Sequence, residues 1–222
     1  MARAPGRPKE PALSRRVVVA AALAIIDRDG LGALNIRSLG AALEVNSASL
    51  YHHFENKDEI LLGVARSVLR DVTVHDTPAE PWQTQMVSTL LALRRALLAH
   101  PNAVPLILQL HPRSFAPDPY DKVINILERN GVPPGLTLTV LDAGEALTFG
   151  WALHSMYAAS VEDRPTDEGR GSGLAKSYER SHLDDDARFE MACHALIGGL
   201  TAEIGTSAPR ARPQPPPARA RR

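Results

Sequence analysis

The sequence predicts an all-α protein in two parts, a small N-terminal three-helix unit and a larger C-terminal helical domain. Three observations lead there. Apolar residues recur at helical spacing in segment after segment, and no stretch shows the strict alternation of a half-buried strand. Residues 36–43 and 47–54 read as two short helices joined by the tight connection "EVN", with a longer helix in front to brace them, which is the pattern of a helix-turn-helix. The polar, proline-containing stretch "TVHDTPAEP" (73–81) then separates this unit from a second set of helices.

Taken in order, "MARAPGRPKEPAL" (1–13) is basic, proline-containing and without period, and reads as a flexible arm. Ser14 caps a helix over 15–29, whose Val18, Val19, Ala22, Leu23 and Ile26 share one face, and Gly30 ends it. The helix over 36–43, led by Asn35 or the loop before it, turns Ile36, Leu39 and Leu43 inward. Ser47 is expected to cap the helix 47–54, and Asn56 the helix 57–72, where Ile60, Leu61, Val64, Val68 and Leu69 repeat at helical spacing. Beyond the linker, helices are expected over about 82–99, 102–111, 119–130, 134–159 and 186–205, punctuated by "HPN" and "NGVPPG". Residues 161–185 read as a mobile polar loop, and the Arg/Pro tail 206–222 as disordered. The domains are thus 14–73 and 82–205.

With 222 residues the chain has ample core to fold without staples. Its single cysteine, Cys193, excludes an internal disulfide and a Cys-based zinc finger, fits a reducing cytosol, and reads as a core thiol. The formal charge of zero is unevenly spread: residues 1–16 carry five Lys/Arg against one Glu, and 206–222 carry five Arg and no acid. The 15 basic and 24 acidic side chains between them leave an acidic body, near −9, flanked by basic ends. The run "SRRVVVAAALAII" (14–26) has the length of a signal peptide, but Asp27-Arg28-Asp29 follows it without a small-residue cleavage site, and its apolar residues are amphipathic. No other run approaches the length of a membrane span, so a cytoplasmic protein without membrane partner is expected.

The segment "NSASLYHHFENKDEI" (46–60) carries the chemistry. In a helix-turn-helix the second helix enters the major groove with its first turns at base edges, while neighbouring elements hold phosphates. Asn46, Ser47, Ala48 and Ser49 occupy that entering end and are small enough for close backbone approach. A metal site at His52-His53 fails because adjacent helical residues diverge by about 100° and no Cys, Asp or Glu completes a tetrahedral set at i+4. A catalytic pair fails because no nucleophile with an orienting carboxylate accompanies it. No catalytic residue, metal or cofactor is expected.

Over residues 14–70 the text "LNIRSLGAALEVNSASLYHHFENKDEILLGVA" resembles the DNA-binding signature of the TetR family of bacterial transcription regulators, with Gly30, Leu39, Val45 and the block "SLYHHFENKDEIL" in register. Glu44 stands where the family usually has Gly, which would strain the turn if a left-handed residue is needed there. The resemblance implies that Arg37 contacts phosphate or base, that Tyr51 and Lys57 hold the DNA backbone, Lys57 aided by a helix N-terminus, and that His52 neighbours base or phosphate. Phe54 is expected inside, and His53 is left open between core and contact.

A weaker resemblance over 82–205 is to the tetracycline-repressor subgroup, carried by "PWQTQMVSTLLALRRALLAHPNAV", "YDKVINILERNGV" and "LTFGWALHSMYA". It implies a homodimer joined by a four-helix bundle and an internal pocket for a small effector. The small and apolar seams of the last two long helices independently favour the dimer. Where the subgroup places a His and a Thr for magnesium this chain has Ile107 and Leu110, and where it places a carboxylate it has His154, so a magnesium-chelated drug is not expected. The pocket implied is mostly apolar: Thr89, Leu93, Ile107, Leu110, Ile126, Trp151 and His154. The leading expectation is a ligand-responsive repressor of a palindromic operator, released by a small apolar effector. Two alternatives stand beside it: an all-α enzyme using His154 or His111, which would need a carboxylate or metal beside the imidazole, and an adaptor acting through the basic tail.

Overall fold

The computed structural model describes residues 13–160, 173–180 and 182–207, which are helical with no strand among them. The helices are α1 (Arg15–Asp29), α2 (Ile36–Ala42), α3 (Ser47–Tyr51), α4 (Lys57–Leu69), α5 (Trp82–Ala99), α6 (Val104–Leu110), α7 (Pro112–Phe115), α8 (Pro117–Arg129), α9 (Pro134–Ser160), α10 (Gly173–Arg180) and α11 (Asp185–Ser207). Ser14 caps α1 through its side chain and Gly30, at φ 84°, closes it, as expected. Asn35 and Ser38 form a reciprocal capping box on α2. Asn46 rather than Ser47 caps α3, because its side-chain Oδ1 accepts the Ser49 N–H and leaves Ser47 as the first helical residue.

Other differences from the expected elements have local causes. The recognition helix stops at Tyr51, three residues short, since the chain must turn at 52–53 to bring Phe54 into the core. Pro101 opens a 3-10 turn that splits the start of the expected helix 102–111 from α6, Pro112 opens the short α7 between the two expected helices, and Pro117 starts α8 two residues before the expected helix 119–130. Within the expected loop 161–185, residues 173–180 form α10. Residues 1–12, 161–172, 181 and 208–222 lie outside the described residues, and with them most of the expected arm, loop and tail.

Two clusters make the core. The first joins Val18, Ile26, Leu39, Leu50, Phe54 and Val64 of the N-terminal unit to Leu97, Val104, Ile107 and Phe149 of the following helices. The linker therefore divides the sequence, while the hydrophobic core runs across it. The second cluster packs Trp82, Met86 and Leu90 of α5 with Val123, Ile126 and Leu127 of α8, Leu141 of α9 and Phe189, Cys193 and Ile197 of α11.

Polar ties complement these clusters. Asp27 of α1 accepts from His100 Nδ1 at 2.9 Å, and its carbonyl accepts from Asn102 at 2.9 Å. Arg66 of α4 donates to the Phe115 carbonyl at the end of α7, at 3.2 Å. Arg94 is buried inside α5, stacked on the Phe189 ring at 5.1 Å and paired with Asp185 at 2.5 Å and Asp186 at 2.6 Å.

Asp185 also accepts from Trp151 Nε1 at 3.1 Å and Ser155 Oγ at 2.9 Å. Burial works against its charge, but the Ser155, Trp151 and Arg94 hydrogen bonds outweigh that and hold its carboxyl below the ordinary range. A carboxyl depressed on folding stabilises the protein above its unfolded pKa, and that contribution disappears as pH falls through the folded value. Asp185→Asn is therefore expected to narrow the loss of melting temperature on acidification below about pH 4, the ordinary Asp range. Parallel melting curves for the two proteins at neutral and acid pH check this, and identical slopes would contradict it.

Candidate functional site

The helix-turn-helix is built on one close approach. The Val45 N–H donates to the Gly40 carbonyl at 3.0 Å, and a Cβ on Gly40 would stand 2.9 Å from the Val45 carbonyl oxygen, so only glycine fits where α2 meets the turn. The turn itself carries Glu44 at φ 54°, the left-handed conformation the sequence comparison with the family pattern foreshadowed. Glu44→Gly should remove strain of about 1 kcal/mol, less the share returned by glycine's freer unfolded chain. The expected result is a small rise in melting temperature, and a fall would show that the Glu side chain contributes more than the strain removes.

Leu50 and Phe54 anchor the second helix in the first core, worth about 2–3 kcal/mol each by area. Arg15 of α1, which the sequence reading did not single out, clamps its far end. Its guanidinium lies over the Phe54 ring at 4.4 Å, donates to the His53 carbonyl at 2.6 Å and pairs with Glu59. Glu59 in turn accepts the Glu55 N–H at 2.8 Å, and these contacts lower its carboxyl pKa, the Glu55 bond first. The half-buried His53 thus contributes its carbonyl to this clamp.

With the helix fixed this way, Arg37, Asn46, Ser47, Ala48, Tyr51, His52 and Lys57 are all exposed, Tyr51 at 52%. Ser49 is half-buried, and its hydroxyl donates to the Asn46 side-chain Oδ1 at 3.0 Å. Capping occupies that oxygen of Asn46, so its amide N–H2 is the part left for a partner. Lys57 opens α4 beside Asp58 and Glu59, two carboxylates that offset the helix N-terminus as an anion attractor and place the weight on the Lys57 ammonium.

The residues expected to line one effector pocket are distributed over three places. Thr89 and Leu93 line a cavity of about 70 Å³ with Val72, Val74, Tyr120 and Glu145, and Ile126 sits beyond Thr89 in a smaller void. Ile107 is fully buried in the first core and the partly buried Leu110 packs on it. Trp151 and His154 instead line an open cleft of about 540 Å³ on the outer face of α9 and α11, with Gly150, Asp185 and Arg188. The phase of α9 causes this split: Leu141, Thr148 and Ala152 face the core, whereas Ala146, Gly150 and His154 face out.

Glu145 and Tyr120, absent from the expected pocket, hold its polar wall. The Tyr120 hydroxyl donates to Glu145, and Arg113 of α7 pairs with Glu145 at 2.5 Å and Asp142 at 2.6 Å. Burial, then the Glu145 carboxylate, pushes the Tyr120 phenol well above its ordinary pKa, so it stays protonated as a donor to that carboxylate. His111, at φ 56°, shares a second cavity of about 250 Å³ with Arg113, Asp142 and Glu145. Among the described residues neither His111 nor His154 hydrogen-bonds a carboxylate, although carboxylates line both clefts.

A trihelical head with an exposed second helix, on a helical body holding a cavity, defines a helix-turn-helix regulator. Residues 18–64 match the family described as bacterial regulatory proteins, tetR family. The tetracycline repressor protein class D of Escherichia coli is 26% identical over 198 residues, which span 86% of this chain and 91% of that one. ActR of Streptomyces coelicolor, solved in complex with actinorhodin, is 27% identical with a TM-score of 0.68, over 88% of this chain and 100% of that one. BioQ of Mycobacterium smegmatis, solved with its double-stranded DNA operator, is 25% identical with a TM-score of 0.59, over 86% and 99% of the two chains. Over residues 18–64 the chain thus matches the DNA-binding domain of the tetR family, and over most of its length it is similar to transcriptional regulators of that kind.

Proposed function

We propose that the protein is a homodimeric repressor of a palindromic operator, released by a small effector that enters the cavity beside Thr89 and Leu93 without chelated magnesium. The observation that carries this is the exposed set of Asn46, Ser47, Ala48, Tyr51 and His52, flanked by Arg37 and Lys57, on a helix whose inner side is locked into the core. Ser47 and Ala48 offer close approach to base edges, while Arg37, Tyr51 and Lys57 take phosphates. The comparisons support the reading: BioQ is solved on operator DNA and ActR with a small molecule.

One head reads only half a site, so specific regulation needs a symmetric pair. The outer faces of α9 and α11 suit a second copy. Leu138, Ala146 and Gly150 line one, Met191, Ala195, Gly198 and Gly199 the other, and the three glycines have open space where a side chain would lie. Leu138 and Met191 are 55% and 58% exposed in the single chain, apolar area that association would remove from water.

Effector binding reaches the heads through the cavity wall. Val72 and Val74 follow directly on α4, and Arg66 ties α4 to α7, so an occupant that moves either shifts the helix carrying the DNA-binding unit. The effector acts by its different affinity for the released and DNA-bound geometries. The site works in the cytoplasm, where the DNA is, and performs no catalysis. Ile107 and Leu110 offer no ligating atom for a metal.

Lys57→Ala tests the DNA assignment. The variant is expected to bind every DNA sequence more weakly and to flatten the dependence of log affinity on log salt by about one unit, the loss of one phosphate contact. Unchanged affinity and slope in fluorescence anisotropy would remove Lys57 from the interface.

A further inference from the structure

The polar side chains lining the Thr89 cavity are Thr89, Tyr120 and Glu145, and each of them can only accept a hydrogen bond from an occupant. The Thr89 hydroxyl proton is committed to the Gln85 carbonyl at 2.8 Å. The Tyr120 proton is committed to Glu145 Oε1. The Glu145 carboxylate has no proton to give. The rest of the lining is apolar: Val72, Val74, Met86, Leu90, Val123 and Leu141 are representative. Nothing in such a wall can partner an anion, and a carboxylate placed there would sit unpaired against Glu145. Asp142 and Glu145 together also exceed the single positive charge of Arg113 that they share.

We propose that the effector is an apolar amine whose protonated nitrogen is held by Glu145 and the Tyr120 oxygen. The assignment rests on the effector-responsive reading above and gives that effector its chemical class, a lipophilic organic cation. Glu145 stands between two spaces, the apolar cavity on one side and the His111–Arg113 cleft on the other, so an ammonium at its carboxylate can extend its apolar body into either. A cation there competes with Arg113 for Glu145. Loosening Arg113 frees α7, whose terminal carbonyl at Phe115 is the anchor for Arg66 of α4. The recognition group and the tie to the DNA-binding unit are thereby one chain of contacts.

The test uses three probes that differ only in head group: naphthylmethylamine, naphthylmethanol and naphthylacetate. Binding to the full-length protein is read by isothermal titration and by the shift in melting temperature. The amine is expected to bind at least about tenfold tighter than the alcohol through its charge-assisted hydrogen bond, and the carboxylate is expected not to bind. Glu145→Gln should bring the amine down to the alcohol. Tyr120→Phe, which keeps the carboxylate but removes the second acceptor, should leave the amine ahead of the alcohol by a smaller margin. An alcohol or carboxylate that binds as tightly as the amine, a preference that survives Glu145→Gln, or no binding by any probe at millimolar concentration would overturn the assignment. Operator binding measured on the same preparation separates the two readings: protein that binds DNA and ignores the amine refutes only the effector class, whereas protein that ignores DNA refutes the regulator reading itself.

Discussion

Gly40→Val is expected to abolish operator binding and to cost about 3 kcal/mol of stability by overpacking. The β-carbon alone would lie 2.9 Å from the Val45 carbonyl oxygen, and that oxygen belongs to the backbone of the turn rather than to a side chain that can rotate away. Relief requires α2 and the turn to separate, which breaks the Val45 N–H bond to the Gly40 carbonyl and moves the start of α3. Every exposed side chain from Asn46 to His52 moves with it. Gly32→Ala is the matched control, since a Cβ there meets nothing within 4 Å. Thermal unfolding together with anisotropy on operator DNA checks the pair. Tight binding by Gly40→Val would mean that the turn is not what positions the recognition helix.

Phe189→Ala is the second large effect, at about 3–5 kcal/mol. Phe189 is fully buried, meets the Trp151 ring edge-on at 5.6 Å and carries the Arg94 guanidinium on its face. Removing the ring opens a cavity and leaves Arg94 supported only by Asp185 and Asp186, which are far more exposed than it is. Helix α11 then loses its principal anchor. Two residues further on, Met191 points outward, and Met191→Ala should leave the subunit's packing intact while weakening association. Unfolding measured over a range of protein concentration separates the cases: the Phe189 variant is destabilised throughout, and the Met191 variant shows its defect as dilution drives dissociation. Equal behaviour of the two would contradict the division between the inner and outer faces of α11.

The N-terminal unit was legible because its signals are local. Capping side chains at Ser14 and Asn56, glycine at residue 30 and helical periodicity in between sufficed to bound its helices. Arg37, Tyr51 and Lys57 were singled out by the resemblance to the family signature, and all three are exposed. Asn46 and Ser47 were harder to order, since either can cap and only the backbone decides between neighbours. Arg15 escaped notice because its partners at His53 and Glu59 are distant in sequence.

The cavity was less legible for the same reason on a larger scale. In "LDAGEALTFGWALH" the apolar Trp151 reads as core and the charged Glu145 as surface. The packing of α9 keeps Trp151 half-buried against Phe189 with one edge in the open cleft, and it turns Glu145 inward, because Arg113 and Tyr120, contributed by α7 and α8, neutralise and hydrogen-bond it. A carboxylate with two partners far along the chain carries no mark of them in its own segment. The proline-opened α7, four residues long, lies below the length at which periodicity can show a helix.

The central claim is that this chain reads a specific palindromic sequence as a dimer. Selection of genomic fragments by the purified full-length protein, followed by sequencing, tests it most directly. The account predicts enrichment of one inverted repeat, with half-sites spaced by about one helical turn or its multiples, and loss of that enrichment in Gly40→Val. Enrichment of no sequence, or of a motif without dyad symmetry, would contradict it.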